Sequence, residues 1–199
     1  MRTVTSLKRI TFCVLSSLLI TFLFTKWINI PFNNRKGGEI MTIKAITNEH
    51  REAVSQFFQH HWGSAQMIVS SGTYNCDELD GFLFEEDGAL VGLVTYVIRD
   101  HEIEVISLDS VKEGQGVGTQ LMEAIELEAK KLGIKQIALI TTNDNLQALK
   151  FYQKRGYRII NVIVDAVTKA RKRKPSIPLL GNEGIPLYDE LQLMKRLSN

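Results

Sequence analysis

Three glycines at alternate positions, Gly114, Gly116 and Gly118, stand at the start of an amphipathic stretch that runs to about Leu132. With no Cβ atoms in the way, several backbone N–H groups can converge there at the positive end of a helix, which makes a site for a diphosphate. A structural turn is the plainer reading of a single glycine pair, and three alternating glycines go beyond it. A dinucleotide loop of the Gly-x-Gly-x-x-Gly kind would occupy the same position, but Thr119 stands where its third glycine belongs and no acid follows at the end of the next strand. A P-loop is excluded because no Gly-Lys-Ser/Thr follows the glycines.

Upstream, Glu102 and Glu104 alternate with apolar residues on a strand leading into this loop. The alternation puts Glu102, Glu104 and Ile106 on one face and Ile103, Val105 and Ser107 on the other. Two carboxylates on one face raise one another's pKa, which suits a proton acceptor working near neutrality. A solvated strand face has the same pattern. His50, His60, His61 and His101 are dispersed, and with Cys13 and Cys76 they form no CxxC or HxxxH spacing. Neither a zinc site nor a disulfide framework is expected, and a reducing compartment follows by default.

The elements that must position these residues are legible in the periodicity. From Val105 to Ile160 the chain reads strand, glycine loop, helix, strand, short helix. The first helix places Leu121, Ile125, Ala129 and Leu132 on one stripe, with Gly133 ending it. Gln136 to Thr141 is a buried strand, and Leu146 to Lys154 a short helix stopped by Gly156. Earlier, Thr42 to Ile46 is an alternating strand, and Thr47-Asn48-Glu49 opens a helix to about Gln59. Ser70 to Asp80 reads as a loop. Gly81 to Glu86 and Leu90 to Arg99 form a hairpin about Asp87-Gly88, and Asp100-His101 turns into the next strand. Tyr157 to Val164 and Leu187 to Met194 are the last two strands. Between them the run Arg171 to Lys174 reads as a solvated loop face or a site for an anionic substrate. The fold class is α/β with a mixed, mostly antiparallel central sheet flanked by helices.

Two of these segments carry a resemblance. Glu113 to Gly118 (EGQGVG) resembles motif A of the GNAT superfamily of acyl-CoA-dependent N-acyltransferases, Gln/Arg-x-x-Gly-x-Gly/Ala. Asn145 to Tyr152 (NLQALKFY), followed by RGY, resembles that family's next block, and the likeness extends over roughly Thr42 to Ile160. Glu113 departs from the pattern by standing where the family has Arg or Gln. Gln115 and the loop amides are therefore expected to carry the phosphate contact.

The resemblance implies direct transfer of an acetyl group from acetyl-CoA to an amine in a ternary complex, without metal. Gly114, Gln115, Gly116, Val117, Gly118 and Thr119 would cradle the diphosphate, and Leu108, Asp109 and Ser110 would pair with the pantetheine arm. Asn145 would orient that arm and cap its helix, while Tyr152 would protonate the leaving thiolate. A packed aromatic beside Phe151 is the plainer role for Tyr152. Glu102 and Glu104 are the candidate bases, and His101, His61 and Trp62 the candidate lining of the acceptor site. Acceptor choice is expected to reside in the segments His60 to Asp80 and Lys169 to Pro186. The acceptor is a small-molecule or protein amine. Another acyl donor, such as succinyl-CoA, and a non-catalytic acyl-CoA-binding domain are the alternatives.

The net charge of +2 is unevenly distributed. Residues 1–40 carry six Lys or Arg against one Glu, which leaves residues 41–199 with 18 basic and 21 acidic residues. A mildly acidic domain gives no support to a nucleic-acid partner. Residues 1–40 form a basic and apolar leader and residues 41–199 the catalytic domain. The apolar run Ile10 to Thr25 falls short of the roughly 20 residues that span a bilayer, but continuation past Lys26 through Trp27, Ile28 and Ile30 reaches it. A secretory signal peptide would need an A-x-A-like cleavage site, which is absent. The third reading is that the leader is untranslated, because Lys36-Gly37-Gly38-Glu39-Ile40-Met41 is what a purine-rich ribosome-binding site spaced ahead of a start codon would encode. The expected location is cytoplasmic, or membrane-anchored with the domain facing the cytoplasm if the leader is translated. A homodimer is compatible with this sequence.

Overall fold

The computed structural model describes residues 34–36, 39–112 and 114–198. The apolar run Ile10 to Thr25 and Glu113 lie outside them. Ten strands and four α-helices are formed among the described residues. In chain order they are β1 (Asn34–Lys36), β2 (Glu39–Ala45), α1 (Arg51–Trp62), β3 (Gln66–Val69), β4 (Gly72–Asn75), β5 (Asp80–Glu86), β6 (Ala89–Arg99) and β7 (Glu102–Ser110). The chain continues with α2 (Val117–Lys131), β8 (Gln136–Thr142), α3 (Leu146–Gln153), β9 (Arg158–Ile163), α4 (Ala166–Arg173) and β10 (Glu190–Arg196). No helix among the described residues is long and apolar enough to cross a membrane.

Eight strands make one mixed sheet in the order β1-β2-β5-β6-β7-β8-β10-β9, and β3 and β4 form a separate ribbon. The hairpins follow from their turn residues. Asp87 and Gly88 have φ of 50° and 83°, and Asp100 and His101 have φ of 43° and 67°. Positive φ at both central positions is what a two-residue turn needs to match the twist of its strands. The parallel pair β7–β8 needs a crossover instead, and α2 supplies it. Its stripe of Leu121, Ile125 and Ala129 is fully buried against the sheet.

Helices α2 and α3 cover one face, packing with Phe84, Val105 and Leu139. Helix α1 and the ribbon cover the other through Phe58, Tyr74 and Cys76. Gly92 in β6 allows a close approach on the first face. A Cβ there would stand 2.7 Å from Val117 Cγ1 and 2.8 Å from the carbonyl oxygen of Asp109.

Strand β7 is irregular against both of its neighbours. Against β6, Thr95 lies opposite Ser107 and Tyr96 opposite Val105, so Ile106 is an unpaired bulge residue. The bulge overturns the expected strict alternation. Ser107 turns away from Val105 and shares a 2.9 Å hydrogen bond with Thr95, while Leu108 packs on the α2 side. Against β8, pairing runs only from Glu102–Gln136 to Val105–Leu139. Beyond that the two strands part, and the backbone groups of β7 that face β8 have no ladder partner.

Three further expectations are corrected. The loop read from Ser70 to Asp80 contains β4, which pairs with β3 from Gln66–Asn75 to Val69–Gly72. Its Gly, Ser and Asn content hid a strand whose packing is tertiary, since Tyr74 and the adjoining Cys76 are buried in the second core. The basic run Arg171 to Lys174 belongs to the end of α4, which buries Ala166, Val167 and Ala170. Its cations act as clamps: Arg171 donates to the carbonyls of Ile177, Pro178 and Leu187. The last strand begins at Glu190, because residues before it are held by Asn143, whose Oδ1 accepts from the N–H groups of Tyr188 and Asp189.

Candidate active site

The glycine loop delivers its amides to a cavity. Gly114 and Gly116 have φ of 72° and 88°, a region that favours glycine. Gly116 is the N-cap of α2, and no side chain caps the helix. The first N–H groups of α2 are therefore open to an anion at the positive end of its dipole. They face a cavity of about 460 Å³ lined by Gly114, Gly116, Val117, Gly118 and Thr119. Leu108, Asp109 and Ser110 from the end of β7 and Tyr152 from α3 line it too. Gln115 is exposed and outside this lining.

A cation that sequence reasoning missed stands in the same cavity. Arg155 lies over the Phe151 ring at 3.5 Å from its centroid, donates to the Phe151 carbonyl at 2.8 Å and bonds the Thr119 hydroxyl. These contacts fix the plane of the guanidinium beside the first turn of α2, yet its Nε is buried without a partner. A buried donor left unpaired carries a cost that an anionic ligand can relieve. The residues present therefore fit a diphosphate: an uncapped helix end, two left-handed glycines, and a fixed cation with a spare N–H. The signal in the sequence was the RGY after the short helix, but nothing in its spacing said where the guanidinium would lie.

The gap between β7 and β8 opens a second chamber of about 340 Å³. Leu108, Asp109, Ala148 and Tyr152 line both spaces and so form the junction. Asp109 is the notable group there. Its Oδ1 accepts from the Trp62 indole N–H at 2.8 Å, and its Oδ2 is buried with no partner. Burial pushes its carboxyl up to about 6, against the opposing pull of the Trp62 indole and the nearby Ser107 hydroxyl. Burial also raises the Tyr152 phenol, with the Asp109 charge adding to the effect and Arg155 opposing it. Tyr152 is thus protonated at neutral pH, and its hydroxyl finds no hydrogen-bond partner among the described residues. The sulfur of Cys76 is inert, since burial pushes its thiol up to about 12.

The other expected residues fall in different places. Glu102 and Glu104 line neither cavity; they sit at the paired end of β7, opposite Gln136 and Ala138. Glu104 is 7% exposed and forms an ion pair with Arg99 at 3.4 Å. Burial, and then the charge of Glu104, raise the Glu102 carboxyl, so the pair does perturb itself, but away from the chamber. His101 is in the hairpin turn beside Glu102, and His61 packs on Phe57 at 4.4 Å; neither lines the chamber. Trp62 does. Asn145 caps α3, accepting from the Ala148 N–H at 3.1 Å, and lines the chamber as well. Of the two segments expected to hold acceptor choice, His60 to Asp80 lines the chamber through Trp62 and residues from Ser64 to Val69, and Lys169 to Pro186 through Ala170, Lys174 and Ile177. Among the described residues no cluster of His, Cys, Asp and Glu is placed to hold a metal ion.

The model of the acetyltransferase (GNAT) family matches residues 46–157. The uncharacterized protein YxbD of Bacillus subtilis (strain 168) is 56% identical over 148 residues, covering 74% of this chain and 93% of that protein. In shape, the chain is similar to the IAA acetyltransferase from Bacillus cereus ATCC 14579, with a TM-score of 0.62 at 19% identity over 79% of this chain and 99% of the other. It is also similar to a GNAT family acetyltransferase from Elizabethkingia anophelis with acetyl-CoA bound, with a TM-score of 0.57 at 18% identity over 79% and 98% of the two chains.

Proposed function

This chain belongs to the acetyltransferase (GNAT) family, and from that premise we propose that it moves an acetyl group from acetyl-CoA to a primary amine by direct attack within a ternary complex. One observation carries the reading: a cavity suited to a diphosphate and a separate chamber meet at a half-buried carboxylate and a buried phenol. The amides of Gly114 to Thr119 and the Arg155 guanidinium hold the phosphates of the coenzyme. The unpaired backbone of β7 from Leu108 to Ser110 takes the pantetheine arm in place of a strand. Acetyl-CoA supplies an activated acyl carbon on a thiolate leaving group.

Asp109 removes the proton of the acceptor ammonium, so that the amine nitrogen can bond to the acyl carbon as the carbon–sulfur bond breaks. Tyr152 gives its proton to the departing sulfur, its phenolate takes up the second proton as the acylated nitrogen loses it, and Asp109 passes the first to solvent. Asp109 replaces Glu102 and Glu104 in the role of base because it alone of the three reaches the junction. A buried oxygen with no hydrogen-bond partner and a carboxyl titrating near 6 suit that role. Direct attack is further supported by Cys76, whose protonated thiol is a poor nucleophile.

The test joins calorimetry to turnover. Acetyl-CoA should bind the purified chain, and Tyr152→Phe should keep that affinity while losing thiol release with an amine acceptor. Turnover by Tyr152→Phe at the unsubstituted rate would remove the phenol from the mechanism. Binding with no turnover against any amine would leave an acyl-CoA-binding domain.

A further inference from the structure

The chamber between β7 and β8 has walls that select more narrowly than amine chemistry alone requires. Most of its lining is apolar, with Ile68 and Val69 from the ribbon, Val167 and Ala170 from α4, and Leu187 beyond it. Two carboxylates, Asp109 and Glu190, stand among these walls. Glu190 is 2% exposed, and its Oε2 accepts the Ser70 N–H at 2.9 Å. Asp109 retains its unpartnered oxygen. Lys174, the cation in the lining, donates to the Gln66 carbonyl at 2.8 Å on the exposed rim. The interior is therefore electronegative, and in a low-dielectric space that charge favours a cationic guest.

Size and closure restrict the guest further. A volume of about 340 Å³ corresponds to roughly ten water molecules, each with its share of about 30 Å³. Part of that space must admit the acetyl group. The far side is tied shut: Lys174 reaches Gln66, Arg173 donates to the Thr73 hydroxyl at 2.6 Å, and the Ser70 N–H reaches Glu190. The ribbon is thereby fastened to α4 on one flank and to β10 on the other. An extended peptide entering here would bring a donor and an acceptor with every residue, more than mostly apolar walls can satisfy once the pantetheine arm takes the free backbone of β7.

Resting on the acetyl-transfer reading, we propose that the acceptor is a compact primary amine with an apolar body and no anionic group, its ammonium met by Asp109 and Glu190. An amino acid would add a carboxylate next to those two. Spermidine would bring three ammoniums to two carboxylates and leave at least one buried without a partner. The amine nitrogen is held at the junction because Asp109 lines both spaces.

The experiment measures thiol release from acetyl-CoA by the full chain with four acceptors: 2-phenylethylamine, phenylalanine, spermidine and a tetrapeptide with a free N-terminus. 2-Phenylethylamine should give a kcat/KM at least about tenfold above each of the others, the discrimination expected when a charge is left unpaired. Glu190→Gln should raise the KM for 2-phenylethylamine about tenfold while leaving the Kd for coenzyme A unchanged. Should that variant misfold, Ile68→Trp narrows the chamber from the ribbon side, and preference should move from 2-phenylethylamine to ethylamine. Phenylalanine, spermidine or the tetrapeptide outperforming 2-phenylethylamine overturns this acceptor class and leaves acetyl transfer standing. An unchanged amine preference in Ile68→Trp also overturns it. Absence of any heat with acetyl-CoA would instead bring down the reading beneath it.

Discussion

Strand β7 carries a carboxylate near each end, Glu104 buried and Asp109 half-buried, and the two live in different chemistry. At the paired end Glu104 faces Arg99 across a 3.4 Å ion pair, within a sheet closed on both sides by β6 and β8. At the parted end Asp109 has an indole on one oxygen and nothing on the other. Glu104 contributes to the fold because its charge is matched. Asp109 carries an unmatched charge that the fold tolerates, and such groups concentrate where chemistry is done. The difference comes from the bulge at Ile106 and the loss of pairing after Val105, which together open one half of the strand and close the other.

Exchanging the two carboxylates for amides tests that contrast most severely. Asp109→Asn should lower kcat/KM by about 10³-fold, within the range for loss of a general base, with coenzyme affinity kept. Glu104→Gln should change kcat/KM by no more than about twofold, as expected of an ion pair outside the chamber. A comparable loss in both variants would erase the distinction between the two ends of the strand.

Next in size is Arg155→Met, which keeps the packing on Phe151 and removes the charge. It should weaken coenzyme A binding by about tenfold or more, since hydrogen bonds to charged groups contribute about 1.5 to 3 kcal/mol. Calorimetry measures this directly, and an unchanged Kd would take the guanidinium out of the cradle.

Stability should move in opposite directions at the two ends. The Asp109 carboxyl is raised above its ordinary value, so its ionisation opposes folding, and stability is lost as pH rises from about 4 through about 6. Asp109→Asn should therefore be more stable than the unsubstituted protein at pH 7, by up to about 2 to 3 kcal/mol, with the gain fading near pH 4. Glu104→Gln should instead lose no more than about 1 kcal/mol, because Arg99 is half exposed. Thermal melts at the two pH values read both effects.

The smallest effect is the subtlest. kcat/KM should rise with pH through about 6 as Asp109 ionises, and fall through the acceptor's own pKa if the ammonium is the species bound. Trp62 donates to the ionised carboxylate and so favours it; Trp62→Phe should shift the acid limb upward. A limb that stays in place would assign the titration to another group.

The local elements were legible because they rest on neighbours in sequence. The Asp87-Gly88 hairpin, the stripe of α2 and the cap at Asn145 each depend on residues within a turn or two, and periodicity reports such contacts well. The ribbon and α4 were illegible for the opposite reason. Their short, polar or charged segments are held by partners far along the chain, as Arg173 is by Thr73 and Ser70 by Glu190.

By itself the sequence determined the glycine loop, its helix and the family likeness, since left-handed glycines at a helix start are a local requirement of the backbone. It also determined that carboxylates lie on the strand entering the loop. Only the tertiary structure decided which of them lies at the junction of the two cavities. One bulged residue reversed the alternation from Ser107 onward, the parting of two strands opened the chamber, and Trp62 and Tyr152 arrived from separate helices to flank Asp109. Strand pairing and burial are set by residues distant in the chain, so the spacing of Glu102, Glu104 and Asp109 held no record of them.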